Sequence, residues 1–259
     1  MRDACPGREF GALPTFLLTG FEPFGGDPTN PSWEVARRLD GAEVPAGLVA
    51  KPPGVTDVGD SRREAETPAL AVLRAVRLPC VFQEALDVLD EALERYRPVA
   101  VIGLGLAASR GDVSIERVAI NVDDARIADN AGCRPIDVPV CADGPAAYWS
   151  SLPIKAIVAA LQESGIAASV SQSAGTFVCN HVFYGLAHRL AGQARARASG
   201  GPEHLRMPAL PRRGGFIHVP WPSGAMSLDT LVAATRIAAQ VTLTAGDADL
   251  RLPGGALDE

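Results

Sequence analysis

Ser173-Ala174-Gly175-Thr176-Phe177-Val178-Cys179-Asn180-His181-Val182-Phe183-Tyr184-Gly185-Leu186-Ala187-His188 is the stretch on which the reading of the chain turns. Just before it, Gly165 to Ser171 has the character of a short strand. From about Phe177 the pattern becomes helical, ending near Gly192 or in the Ala/Arg run that follows. A strand that passes into a helix here sets Cys179 in the first helical turn. Backbone N–H groups in that turn have no partner within the helix, and the dipole is positive at that end, so a thiolate is stabilised. The stretch therefore predicts a thiol of lowered pKa and makes Cys179 the candidate nucleophile. The competing reading is a small buried hydrophobe, the usual fate of an unpaired cysteine.

Working outward, strand and helix keep alternating. Thr15–Thr19 reads as a strand, and Gly20 to Asn30 as a loop rich in Gly and Pro that carries Phe21 and Phe24. Those two rings either anchor the loop to the core or face a ligand. Asn30 before Pro31 gives an N-cap and a first helical position for a helix to about Asp40. Strands are expected over 43–50 and 69–78. Val81–Arg97 should be a helix with Phe82, Leu86, Leu89, Leu93 and Tyr96 on one stripe, and Val99–Leu104 a strand covered on both faces. Further along, the patterns predict a strand over 114–121, a helix over 145–164 irregular at Pro153, a short strand at 215–220 carrying His218, and a helix from Ser227 to about Thr244. This order predicts one α/β domain over 15–245, a mainly parallel twisted sheet flanked by helices on both faces. Residues 1–14 read as a flexible extension, 51–68 as a flexible polar insertion and 246–259 as a tail.

Composition narrows the function. The chain has 259 residues, 47% of them apolar, enough for a substantial core. With a net charge of −6 and no long Lys/Arg run, it lacks the surface that nucleic acid or an anionic membrane would need. No apolar run approaches the roughly 20 residues of a membrane span, and residues 10–18 are too short and too broken by Pro14 for a signal-peptide core. Cys5, Cys80, Cys133, Cys141 and Cys179 are odd in number and scattered, without metal-ligand spacing. They read as free thiols in a reducing, cytoplasmic compartment, with no metal site.

In a sheet of this class the ligand crevice lies beyond the carboxyl ends of the strands. The Phe21/Phe24 loop, the turn at Leu106, Cys179 and His218 all fall at such positions. Gly103-Leu104-Gly105-Leu106-Ala107-Ala108 matches a dinucleotide fingerprint, yet the following Ser109-Arg110-Gly111-Asp112 reads as a turn into another strand, where the fingerprint needs a helix. A cysteine nucleophile also needs a base. His181, two residues along the same helix, points to a different side; His188 lies over two turns further on; His204 sits in a Gly/Pro-rich connection. His218, at a strand end, can face a helix start on the same edge, or be a packed strand histidine. Glu116, amid apolar neighbours, can orient an imidazole or lie on a solvated face.

Four blocks taken together carry a resemblance. They are Leu17-Leu18-Thr19-Gly20-Phe21-Glu22-Pro23-Phe24-Gly25-Gly26 with Asn30-Pro31-Ser32-Trp33; Glu116-Arg117-Val118-Ala119-Ile120-Asn121; Gly175-Thr176-Phe177-Val178-Cys179-Asn180-His181; and Gly215-Phe216-Ile217-His218-Val219-Pro220. In this order they resemble the type I pyroglutamyl peptidases, the pyrrolidone carboxyl peptidase family. The resemblance implies a phosphorylase/hydrolase-like sheet and a cytosolic homotetrameric cysteine peptidase, without cofactor, that removes an N-terminal pyroglutamyl residue from peptides. It implies Cys179 as nucleophile, His218 as base and then acid, and Glu116 as the group that holds the imidazole. It further implies a pocket lined by Phe21, Phe24, Phe177 and Val178, a loop fixed by Asn30, and Arg126 near the site.

Besides the 51–68 excursion and the first 14 residues, which look like additions, the chain departs from the family at two wall positions. Leu106 stands where members commonly carry Gln, and Cys80 where they often carry Thr or Val after a proline. Both remove polar or branched character from the substrate wall that the resemblance implies. They leave open a second reading, a non-catalytic protein that binds lactams or other small molecules. A nucleoside phosphorylase-like enzyme on a similar sheet is a third.

Overall fold

The computed structural model describes residues 13–46, 70–198, 211–246 and 249–250. The expected extension, insertion and tail, and also His204, lie wholly or mostly outside these residues. Five strands that carry apolar side chains on alternate faces make the centre. They are β1 (Thr15–Phe21), β3 (Leu70–Leu78), β4 (Ala100–Leu106), β5 (Val113–Glu116) and β9 (Arg213–Val219). With β2 (Glu43–Pro45) and β8 (Ala168–Ser171) at the edges, they form a seven-stranded sheet in the order β2-β3-β1-β4-β9-β5-β8. Four of the six neighbouring pairs are parallel; β2 against β3 and β5 against β9 are antiparallel. The sheet is mainly parallel, as expected, but β5 runs against its neighbour.

The two-residue period of a strand sorts the core into two layers. Phe16, Leu18, Ile102, Leu104, Ile115, Ile217 and Val219 pack on one side with α1 (Pro31–Arg38), α3 (Ile154–Glu163) and α5 (Leu228–Thr244). Leu17, Phe21, Val101 and Phe216 pack on the other with α2 (Phe82–Tyr96) and α4 (Val178–Ala198). On α2 the buried Phe82, Leu86, Leu89 and Leu93 make the expected stripe. From Val178 to Ala187, every residue of α4 except Cys179 is buried, because α2, the sheet and a small second sheet enclose that end of the helix.

That second sheet corrects two expectations. The strand expected over 114–121 breaks at Arg117 into β5 and β6 (Val118–Ile120), and β6 leaves the main sheet to pair antiparallel with β7 (Ala147–Trp149). The helix expected from Pro145 therefore begins only at Ile154, after Pro153. Asn180 on α4 fastens this small sheet from below, accepting from Ile120 N–H at 3.0 Å and donating to Ile120 O at 2.9 Å and Val122 O at 3.1 Å.

Candidate active site

Reversal of β5 brings Glu116 to His218. Ser114 lies opposite His218 in the ladder, and Glu116, two residues on, shares its face of the sheet. The carboxylate Oε1 stands 2.7 Å from His218 Nδ1. Glu116 has no exposed surface and His218 only 4%, so the solvated-face reading of Glu116 fails. A buried carboxylate needs a counter-charge. Arg110, in the turn after β4, supplies it, its Nη1 donating to the same Oε1 at 2.7 Å while Nη2 donates to Ser173 O at 3.0 Å. One guanidinium thus ties the carboxylate to the turn that leads into α4.

Cys179 lies in the first turn of α4, which opens with His181 N–H donating to Phe177 O at 3.1 Å. Its sulfur rests over β4: a Cβ added at Gly105 would come within 2.8 Å of Sγ, and one at Gly103 within 2.6 Å of the Phe216 ring. Gly105 and His218 are partners in the β4/β9 register, so the sulfur over Gly105 and the imidazole lie on the same face of adjacent strands, near their carboxyl ends, and line one cavity. The glycines that mimic a nucleotide fingerprint are there to let Phe216 and the sulfur approach the strand. No helix follows them; β4 passes through a turn into β5.

Both groups open onto a cavity of about 250 Å³. Phe21, Phe24 and Phe177 give it aromatic walls, Phe24 and Phe177 lying 5.8 Å apart between centroids, and Leu106 and Cys80 add apolar surface. Asn30 caps α1 by accepting from Ser32 N–H at 3.1 Å, and its amide donates to Glu22 O at 3.0 Å, holding the loop to the helix. Glu22 in turn accepts from Cys80 N–H at 3.0 Å and from the Asn130 amide at 2.7 Å. Val178 is fully buried beneath the cavity and is not part of its lining; Arg126 is exposed and also outside it.

The thiol does not behave as its place in the helix suggested. Desolvation pushes the Cys179 thiol above its ordinary range, aided by the nearby Cys80 and Glu116. The backbone N–H and Arg110 pull the other way and do not prevail. Burial likewise pushes Cys80 up to about 12. Burial thus favours the protonated thiol over the thiolate at Cys179. His181 is held elsewhere, its Nδ1 2.7 Å from Asp123 Oδ2 and its ring edge-on to Phe82. Sequence reasoning gave no role to Arg110; the signal for it was the need of a buried Glu for a cation close along the chain. Among the described residues no three His, Cys, Asp or Glu side chains gather as a metal site would require.

A sulfur beside an imidazole that a buried carboxylate holds is the equipment of a thiol hydrolase working through an acyl-enzyme. Known proteins narrow that class. The family model described as pyroglutamyl peptidase matches residues 15–53 and 61–245. Pyrrolidone-carboxylate peptidases of Cupriavidus taiwanensis and Chromobacterium violaceum are each 49% identical, over 95% and 93% of this chain and 100% and 99% of their own lengths. Among solved structures, pyroglutamyl peptidase I of Bacillus amyloliquefaciens superposes with a TM-score of 0.71 at 38% identity, covering 92% of this chain and all of that one. A mutant pyrrolidone carboxyl peptidase of Pyrococcus furiosus gives 0.69 at 35% identity over 88% of this chain and 98% of that one. The chain belongs to the pyroglutamyl peptidase family. It is a hydrolase, and its sheet flanked by helices is that family's fold.

Proposed function

We propose that the chain removes pyroglutamyl residues from peptide N-termini through Cys179, His218 and Glu116. What carries the reading is that the Cys179 sulfur, seated over Gly105, lines the same cavity as His218, Gly105's register partner, whose Nδ1 is hydrogen-bonded to buried Glu116. With Glu116 accepting from Nδ1–H, Nε2 is free to take the thiol proton as Sγ attacks the pyroglutamyl carbonyl. Backbone N–H groups at the start of α4 hold the oxyanion that forms. Collapse of the tetrahedral intermediate breaks the C–N bond, and His218 hands its proton to the departing amine. Water, deprotonated by the same imidazole, then cleaves the thioester and releases pyroglutamate.

The cavity suits that ring. A pyroglutamyl lactam is flat and uncharged, whereas an ordinary peptide N-terminus carries an ammonium that apolar walls would have to desolvate. Phe21, Phe24, Phe177 and Leu106 are the residues assigned to binding, with Asn30 holding the loop. Leu106 offers the lactam no hydrogen bond from its side chain, so polar recognition falls to backbone groups. Val178 supports Phe177 from below, and Arg126 is assigned to the outer approach of the peptide. The family resemblance supports one domain over 15–245 and a cytoplasmic homotetramer, testable by light scattering. No helix among the described residues is long and apolar enough to cross a membrane.

Release of arylamine from a pyroglutamyl-arylamide tests the reading. Wild type should turn over, Cys179→Ala should not, and an alanyl-arylamide should be refused. Turnover retained in Cys179→Ala would remove the sulfur from the mechanism.

A further inference from the structure

Away from the catalytic cavity, His188 on α4 stands beside a second thiol, that of Cys141, in the segment between β6 and β7. Cys141 Sγ lies 3.8 Å from His188 Nε2, and Tyr148 Oη lies 2.9 Å from His188 Nδ1. His188 is nine residues beyond Cys179, about 13 Å along the helix axis. Tyr148 and Tyr184 enclose the imidazole, with ring centroids 5.8 and 6.2 Å from it. The sulfur is held as firmly as the ring. Asn121 accepts from Cys141 N–H at 2.9 Å and donates to Cys141 O at 2.8 Å, and the turn closes through Gly144 N–H donating to Cys141 O at 3.0 Å. Tyr184 Oη donates to Pro145 O at 2.7 Å, fixing the next residue of the turn. Cys141 is half-buried, so small reagents reach it, whereas Cys80 is buried and Cys133 is exposed, with no histidine at its sulfur among the described residues.

We propose that Cys141 is a second reactive thiol, a site of reversible mixed-disulfide formation with low-molecular-weight disulfides, with His188 as its base and Tyr148 as the residue that positions the base. With Tyr148 Oη accepting from Nδ1–H, Nε2 presents its lone pair to the Cys141 S–H. As the sulfur attacks one sulfur of the incoming disulfide, Nε2 takes the thiol proton. The new S–S bond forms, the reagent's S–S bond breaks, and the proton passes to the departing thiolate. The reagent is reduced by one thiol equivalent, the protein thiol is oxidised by one, and no other oxidant is needed.

Full-length protein carrying Cys179→Ala, incubated with glutathione disulfide near neutral pH and mapped by peptide mass, tests this. Cys141 should form the mixed disulfide about tenfold faster than Cys133 despite its lower exposure. His188→Gln should bring Cys141 down to the rate of Cys133, and Tyr148→Phe should cut its lead about threefold. Because Cys133 is read in the same sample, it corrects for reagent and for loosening of the fold. Cys141 reacting no faster than Cys133 overturns the proposal, and so does a lead that survives His188→Gln. If His188→Gln does not fold, Tyr148→Phe decides, and an undiminished lead there also overturns it.

Discussion

Glu116 Oε1 serves two donors, Arg110 and His218, while Oε2 is buried without a hydrogen-bond partner among the described residues. The pair is therefore sensitive to small changes. Glu116→Gln would let an amide N–H face Nδ1 and select the wrong tautomer, so kcat should fall about a hundred- to ten-thousand-fold with KM little changed. Arg110→Gln leaves the carboxylate without its counter-charge. We expect kcat/KM to drop about tenfold and Tm to fall, with partial recovery in Arg110→Lys, since solvent at the partly exposed guanidinium moderates the loss. The raised thiol pKa gives a pH prediction whose sign follows from burial. Holding the thiol protonated keeps the thiolate fraction small at neutral pH and lets it grow as pH rises. Iodoacetamide inactivation through Cys179 should accelerate continuously from about pH 6 to 9; a rate already flat at neutrality would show a standing thiolate–imidazolium pair. At this scale the positions of Cys179 and His218 were legible because a helix start and a strand end have local signatures. The thiol's direction of shift was not, because helices and strands far away in sequence desolvate it.

Elements position these residues through what they omit as well as what they carry. Gly105→Ala would set a methyl group against both the sulfur and the Phe216 ring. It should lower kcat at least tenfold and stability by about 1–3 kcal/mol, as overpacking does, read by arylamide turnover and thermal unfolding. Asn30→Ala removes the cap of α1 and the bond to Glu22 O together. The loss should be about 1–2 kcal/mol, with KM raised severalfold because the Phe21/Phe24 loop loses a tether. Helices α1, α2 and α5 were legible from caps and periodicity. The helix expected over 145–164 was misplaced for a physical reason: Ala147–Trp149 become a strand only because β6, remote in sequence, supplies the partner, and no local pattern records a pairing between short segments.

The whole sheet depends on one reversal that no local pattern announces. Alternation of strand and helix predicts parallel neighbours, and it succeeds for β1, β3, β4 and β9, which helices link. It fails at β5, which follows β4 after a short turn yet pairs with β9, antiparallel. With Ser114 opposite His218, a parallel β5 would carry Glu116 past the end of β9, whereas the reversal sets it back along β9, on the face that His218 shares. Spacing alone left the order of the strands open, and the resemblance offered only Glu116 as a partner for His218; the order β4-β9-β5 is legible in the fold alone.

The seat under the sulfur is built from missing atoms. Nothing is smaller than the hydrogen already at positions 103 and 105, so every natural or engineered change there can only fill the floor of the site. Leu106 and Cys80 stand differently, as walls whose size and polarity can move either way. Anyone seeking to broaden the range of accepted rings should leave the floor alone and diversify the walls, and drift among relatives should leave its record in the same place.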